Sequence, residues 1–307
     1  MISFIPAYRR TGSALHGARP AVAAAFALCP AVVALAFDHP LVLAAALACV
    51  VLAGTAAGVG PELRRAALLA VPLALVVALV NPLVSREGLT LLVRGPEVPL
   101  LGALDVTLES IVYGGVAALR VLVVVLAFAV CSAAVDPDEM LRGLRRLAPR
   151  SALTASLATR MVPLLARDAE RLSLAYGLRA STVARDGGRL RRGAVLARAL
   201  AAGGIERSWD TAAALELRGY ALGTRRSGRP AAPWSRDDVA FTAATAAVVA
   251  LALAARLAGI AGFDPYPLVR AEAGAAEMAL AFALPLACAA PFALAAVRAT
   301  RREAGRG

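Results

Sequence analysis

Long apolar stretches, each close to 20 residues, alternate with short polar segments along most of the chain. The hydrocarbon core of a bilayer needs about 20 apolar residues per helix. We therefore predict six transmembrane helices, over residues 20–37, 40–59, 65–84, 111–134, 238–258 and 274–297. The tight turn at Asp38-His39-Pro40 predicts that the first two form an antiparallel hairpin. We expect Gly60-Pro61 to separate the second helix from the third, and Asn81-Pro82 to break the end of the third.

The region between the fourth and fifth stretches differs, because charges interrupt its apolar positions. Asp136-Pro137-Asp138-Glu139 predicts a helix start, with Asp136 as the N-cap and Pro137 at the first helical position. We expect Pro149 to end that helix and Ser151 to cap the next one.

The next helix is predicted to be amphipathic and to end near Arg179, before a loop that begins at Gly187-Gly188. Pro163 removes one backbone donor and predicts a kink in this helix. Three arginines form its charged side: Arg160, Arg167 and Arg171. The apolar side is formed by residues at helical spacing: Leu153, Leu157, Met161, Leu164, Leu165 and Leu172.

A shorter amphipathic helix is predicted from Ile205 to Tyr220, after Gly203-Gly204. Arg207 and Arg218 are eleven positions apart and therefore share one helical face. Gly219 is suited to a helix C-cap. We expect Arg207 to contact lipid or to pair with Asp210 on its own helix. A second face carries an apolar stripe of Trp209, Ala213, Leu217 and Tyr220.

The composition agrees with a membrane protein, since 60% of the residues are hydrophobic and the mean hydropathy is +0.70. We therefore predict an all-α polytopic membrane protein. Its parts are an N-terminal membrane region with four helices (1–134), a polar helical region (135–236) and a C-terminal membrane region with two helices (237–307). The net charge is +12, and all 33 basic residues are arginine. Because they lie beside apolar stretches, this charge indicates topology control and contact with membrane lipids rather than nucleic acid.

Arginine also predicts the orientation of the chain, because positive residues accumulate on the cytoplasmic side. The segment over residues 85–110 is acidic by comparison and should face outward. The region over 135–236, with nineteen of the 33 arginines, and both termini should be cytoplasmic. The arginines that place the other cytoplasmic ends are Arg9, Arg10, Arg19, Arg64, Arg65, Arg298, Arg301, Arg302 and Arg306.

Few residues offer catalytic or metal-binding chemistry. His16 and His39 are isolated, so we expect neither a metal site nor a cofactor. The chain has no GxxxxGK[ST] motif and no lysine, so it is not predicted to hydrolyse ATP. Arg120 lies inside the fourth stretch and is expected either to reach an interface or to pair within the bundle. The cysteines all lie in apolar stretches and are interpreted as small hydrophobic residues: Cys29, Cys49, Cys131 and Cys288.

Three other interpretations stay open at this stage. The arginine-rich helices would suit the inner leaflet of a bilayer, although their interspersed acids would be repelled by anionic lipid. A secondary transporter is an alternative, although the predicted spans contain only two acidic residues, Asp238 at the first position of the fifth span and Glu277 near the start of the sixth. An integral membrane enzyme of lipid metabolism is another, although it would need clustered Asp or His at the cytoplasmic face.

Several of these motifs together resemble the transmembrane T component of energy-coupling factor transporters, the bacterial importers of cobalt, nickel and vitamins. The resemblance covers residues 8–225. It rests on the order of four apolar spans, the Asp-Pro helix start, Arg160-Met-Val-Pro163, Arg179, and Arg207-Ser208 followed by Glu216-Leu-Arg218-Gly219-Tyr220.

In that family, two arginine-containing tripeptides, typically Ala-Arg-Gly, end cytoplasmic coupling helices and dock into two ABC ATPases. The resemblance implies that Arg179-Ala180 and Arg218-Gly219 are these contacts. It also implies a non-catalytic chain in a bacterial cell membrane, a separate small membrane substrate-binding subunit, and a vitamin or transition-metal cargo. The residues expected to support the coupling helices are Arg160, Pro163, Arg207, Ser208, Trp209 and Glu216.

Overall fold

The computed structural model describes residues 11–84, 90–93, 97–98, 102–103, 106–144, 149–180, 189–219, 233–264, 270–271 and 274–304. The chain divides into two compact units. The first unit contains Met1–Gly143 together with Trp234–Gly307, and the second contains Leu144–Pro233.

The described elements are mainly helices. In chain order they are α1 (Ala14–Gly17), α2 (Pro20–Ala36), α3 (Pro40–Ala56), α4 (Gly60–Val84), α5 (Leu108–Ala134), α6 (Pro137–Leu144), α7 (Pro149–Ala180), α8 (Arg189–Leu217), α9 (Arg236–Leu257) and α10 (Ala275–Ala304). Six short strands are also described: β1 (Leu91–Val93), β2 (Glu97–Val98), β3 (Gly102–Ala103), β4 (Val106–Thr107), β5 (Phe263–Asp264) and β6 (Arg270–Ala271). They pair in antiparallel fashion as β1 with β4, β2 with β3, and β5 with β6.

Helices suited to a bilayer dominate the first unit. Within the described ranges, α4, α5, α9 and α10 each contain a stretch long and apolar enough to cross a membrane. Helices α2 and α3 are apolar but shorter, at 17 residues each. The prediction of an all-α polytopic membrane protein is therefore confirmed, and each predicted span falls on a helix.

Of the two breaks predicted around α4, the first is confirmed, because α3 ends at Ala56 and α4 begins at Gly60, and the second was wrong. The helix begins at Gly60 rather than near residue 65, because Pro61 lies in its first turn, where a backbone donor is not needed. It also continues through Asn81 and Pro82 to Val84. Tight packing accompanies this last turn: a Cβ added at Gly114 of α5 would lie 2.8 Å from the Ala78 carbonyl oxygen and 3.3 Å from Pro82 Cδ.

Three aromatic rings join the N-terminal and C-terminal parts of the first unit. Phe26 of α2 lies edge-on to Phe241 of α9 and to Phe292 of α10, with centroids 5.0 and 5.8 Å away. Phe241 and Phe292 are themselves 5.2 Å apart. Since Phe26 and Phe241 are almost fully buried, α9 and α10 belong to the same hydrophobic core as α2 and α3.

The structure shows Arg120 paired inside the bundle, one of the two arrangements expected for it. Its Nε donates to the Ala34 carbonyl oxygen at 2.9 Å, and its Nη2 donates to the Phe37 carbonyl oxygen at 3.2 Å. Nη2 also pairs with the carboxylate of Asp38. Arg120 therefore satisfies carbonyl groups that the end of α2 leaves without helical partners.

Candidate functional site

The candidate coupling residues lie in the second unit, where α7 and α8 pack against each other. Three boundary predictions were wrong here. Pro149 is the first residue of α7 rather than the end of the preceding helix, because proline is well suited to a first turn. Ser151, the predicted N-cap, therefore lies inside α7. The stretch from Ile205 is not a separate helix, because α8 runs without interruption from Arg189 to Leu217.

Helix α8 continues through a pair of glycines that the sequence pattern had suggested as a break. Gly203 and Gly204 follow Leu200, Ala201 and Ala202, which favour helix strongly enough to outweigh the cost of two glycines. A Cβ added at Gly204 would lie 3.8 Å from a methyl group of Leu165 in α7. Gly204 therefore lies where the two helices pack, rather than in a loop.

An ion pair next to these glycines joins the two helices. The Nη2 atom of Arg207 pairs with the carboxylate of Asp168 on α7. The predicted pairing of Arg207 with Asp210 was wrong, because the packing of α7 on α8 brings the Asp168 carboxylate to Arg207. Both side chains are partly buried, with relative exposures of 37% and 20%. Arg207 is thus a structural contact between the two helices.

Arg218 follows the last residue of α8, and the helix ends in the conformation that its sequence predicts. The Arg218 amide donates to the Ala214 carbonyl oxygen at 3.2 Å, and the Gly219 amide donates to Glu216 at 2.8 Å. Gly219 has a φ of 73°, the left-handed conformation that glycine adopts most easily. The chain can therefore turn sharply directly after Arg218, whose side chain is exposed.

A groove beside Arg218 brings together charges that are distant in the sequence. It has a volume of about 450 Å³ and is lined by Arg160 of α7 and by Asp210 and Arg218. Its apolar wall includes Leu157 and Leu215. The sequence pattern gave no indication that Arg160 and Arg218 would line the same groove, because no local spacing relates two different helices.

The apolar stripe predicted on α8 is largely uncovered within the described structure. Trp209 is 73% exposed and Leu217 is 90% exposed. Ser208 donates its hydroxyl hydrogen to the Ile205 carbonyl oxygen at 2.6 Å, so it is satisfied within its own helix. Tyr220, the last member of the predicted stripe, lies outside the described residues.

The first predicted coupling motif is described only by its backbone. Arg179 and Ala180 are the last two residues of α7, as the predicted helix end requires. Their side chains lie outside the described residues. Pro163 lies inside α7 and is exposed.

Comparison with known families completes this description. A family model described as CbiQ, cobalt transport protein, matches residues 12–228. The chain belongs to the CbiQ family. This confirms the family that the arginine motifs indicated and makes the protein a membrane component of a transport system. A search of curated proteins found no match.

The CbiQ match extends from the N-terminal helices to just beyond α8. Helices α9 and α10 lie outside it, although Phe241 and Phe292 pack on Phe26 within it. In this CbiQ-family chain, the last two spans therefore complete a core whose other helices lie within the family match.

Proposed function

We infer that this protein is the transmembrane coupling subunit of an ATP-driven importer of the energy-coupling factor type. One observation carries this proposal: an exposed arginine, Arg218, directly follows the end of α8, and Gly219 after it has the left-handed φ of a helix C-cap. An arginine on a rigid, capped helix end is suited to insertion into a groove of a partner. Family membership supports the same role.

The chemistry of arginine suits such a contact. Its planar guanidinium is always charged and can bind a carboxylate through two parallel hydrogen bonds. In the proposed complex, Arg218 and Arg179 each bind an acidic residue of one of two ABC ATPase subunits. Arg160 lines the groove beside Arg218 and adds positive charge there. Because Arg207 pairs with Asp168, it holds α8 against α7 rather than binding the ATPase.

The orientation predicted from the arginines determines which parts of the chain the ATPases can reach. Both termini and the region over 135–236 face the cytoplasm, where the ATPases are. Binding of ATP closes the two ATPase subunits, and the ends of α7 and α8 move with them. The exposed Trp209, with Met161, contributes apolar surface through which this movement reaches a small membrane-embedded substrate-binding subunit. Because the sequence has no GxxxxGK[ST] motif, the proposed mechanism assigns ATP binding to the partner subunits.

The cargo is proposed to be a transition-metal ion or a vitamin. The family description favours cobalt. In this scheme the separate substrate-binding subunit holds the cargo, and the coupling subunit only transmits movement. Inspection of neighbouring genes for ABC ATPases and a small hydrophobic binding protein would identify the partners to be expressed together.

The proposal is tested by co-expressing the chain with the candidate ATPases and purifying it through an affinity tag. In the variant Arg179→Glu with Arg218→Glu, we expect the ATPases to be lost from the purified chain, because like charges would then face each other. Arg198→Glu is a matched control, since Arg198 is also exposed on α8 but does not line the groove. Retention of both ATPases by the double variant would contradict the proposal.

A further inference from the structure

A cavity of about 670 Å³ opens at one end of the helical bundle in the first unit. Its polar side is formed by Ser13, before α1, and by three charged residues at two helix ends. Arg236 and Asp237 begin α9, and Arg298 lies near the end of α10. The cavity thus combines residues from the start of one span and the end of another.

The opposite side of this cavity is apolar. It is formed by Ala56 at the end of α3 and by Phe292 and Ala295 on α10. Leu294 and Val297, also on α10, are 52% and 51% exposed. The same helix therefore carries the apolar side of the cavity and apolar surface suited to hydrocarbon.

The charges of the cavity are only partly neutralised. Arg298 donates to Asp237 at 2.8 Å, so these two charges compensate each other. Arg236 is exposed and forms no ion pair with any residue that the structure describes. Among the described lining residues, one guanidinium therefore has no carboxylate partner, and the sum of their charges is positive.

The position of the arginines fixes the depth of the cavity in a bilayer. Arg236 is the first residue of one membrane-spanning stretch, and Arg298 is the last residue of another. The cavity therefore lies at the boundary between hydrocarbon and headgroups. Positively charged pockets between transmembrane helices at this boundary are suited to lipid headgroups.

We propose that this cavity binds an anionic phospholipid. The phosphate lies against Arg236, with Arg298 as a second donor, and the first part of an acyl chain lies against Phe292 and Ala295. A free phosphate ion would use only the charged side of the cavity, whereas an amphiphilic ligand uses both sides. The proposal goes beyond the coupling function, because none of the lining residues of the cavity is among the proposed coupling residues.

The test measures lipid binding to the purified full-length chain by native mass spectrometry. Phosphatidylglycerol is compared with phosphatidylcholine, which has the same phosphate but no net charge. We expect the unmodified chain to prefer phosphatidylglycerol, and Arg236→Gln to weaken that binding about fivefold, the effect of about one surface charge. Arg301→Gln is the matched control, because it removes an exposed arginine of α10 outside the cavity.

A second variant tests the apolar side without changing any charge. Ala295→Leu fills part of the cavity and should weaken phosphatidylglycerol binding, while Arg301→Gln should leave it within twofold of the unmodified chain. Equal losses in Arg236→Gln and Arg301→Gln would overturn the proposal, because they would indicate attraction to net charge alone. Displacement of the lipid by millimolar glycerol 3-phosphate would also overturn it, in favour of a site for soluble phosphates.

Discussion

Arg218 is a single residue whose chemical type, and not only its charge, should matter. A lysine keeps the charge but cannot form two parallel hydrogen bonds with one carboxylate. We expect Arg218→Ala to weaken ATPase binding by about 2 to 5 kcal/mol, since the partner charge would be left unpaired. Arg218→Lys should recover only part of this loss. The measurement is a binding titration of the ATPase subunits against the chain in detergent; equal affinity of the lysine variant and the unmodified chain would exclude a bidentate contact.

The Arg207–Asp168 ion pair gives a second prediction at this scale. Because both side chains are partly exposed, either Arg207→Ala or Asp168→Ala should destabilise the helix pair by only about 1 kcal/mol. The exchange of both charges, Arg207→Asp with Asp168→Arg, should recover part of the stability lost in each single reversal. Protease resistance of the α7–α8 region would report this; failure of the exchange to exceed the single reversals would show that the pair contributes nothing.

Arg120 illustrates how a costly residue becomes tolerable. Replacement by methionine removes three hydrogen-bonding contacts at the end of α2, and we expect a loss of about 2 to 3 kcal/mol in stability. Asp38→Asn should be milder, because Arg120 keeps its two carbonyl partners. Thermal unfolding in detergent would measure both. The control is Arg65→Gln, an exposed arginine of α4; a comparable shift there would show that charge in general is responsible.

At the scale of elements, local patterns predicted most helices but not their partners. Apolar length alone placed six apolar helices, four of them long enough to cross a membrane, because the bilayer requirement acts on each segment separately. The continuity of α8 was missed, since Gly203-Gly204 has the composition of a loop and the packing partner Leu165 lies on another helix. Asp210 was chosen for Arg207 by the rule for neighbours on one helix, whereas Asp168 lies on α7. In both cases the missing information was a contact with a second helix, which a local pattern does not contain.

The contact between α4 and α5 provides a test of this packing. A methyl group at Gly114 would meet the Ala78 carbonyl oxygen at 2.8 Å, so the helices would have to separate. At neighbouring Gly115 nothing lies within 4 Å. We expect Gly114→Ala to destabilise the protein by about 1 to 3 kcal/mol, and Gly115→Ala to be neutral or slightly stabilising. Thermal unfolding of both variants would check this, and equal effects would contradict close packing at Gly114.

At the scale of the whole molecule, the sequence motifs identified the family, but they left the role of the last two spans open. The aromatic contacts among Phe26, Phe241 and Phe292 supply that role, and no periodicity in a single helix could have predicted them. We therefore treat α9 and α10 as part of the core of the membrane unit.

Removal of one of these rings should destabilise the entire membrane unit. We expect Phe241→Ala to cost about 3 to 5 kcal/mol, as for other large buried side chains. Phe282→Ala is a matched control, because Phe282 is 75% exposed on α10. The two variants should differ clearly in detergent-solubilised yield and in thermal unfolding. If they behaved alike, α9 and α10 would have to be regarded as an independent addition.

The short α2–α3 hairpin has a consequence for the lipid around it. A helix of 17 residues is about 25 Å long, less than the roughly 30 Å of hydrocarbon in a bilayer. Arg120 holds the tip of this hairpin beside the middle of α5, about 18 Å along the helix from Leu108. Headgroups and water would therefore descend toward the tip and thin the bilayer locally. The guanidinium would be hydrated from this depression, so the membrane itself would adapt to the charge.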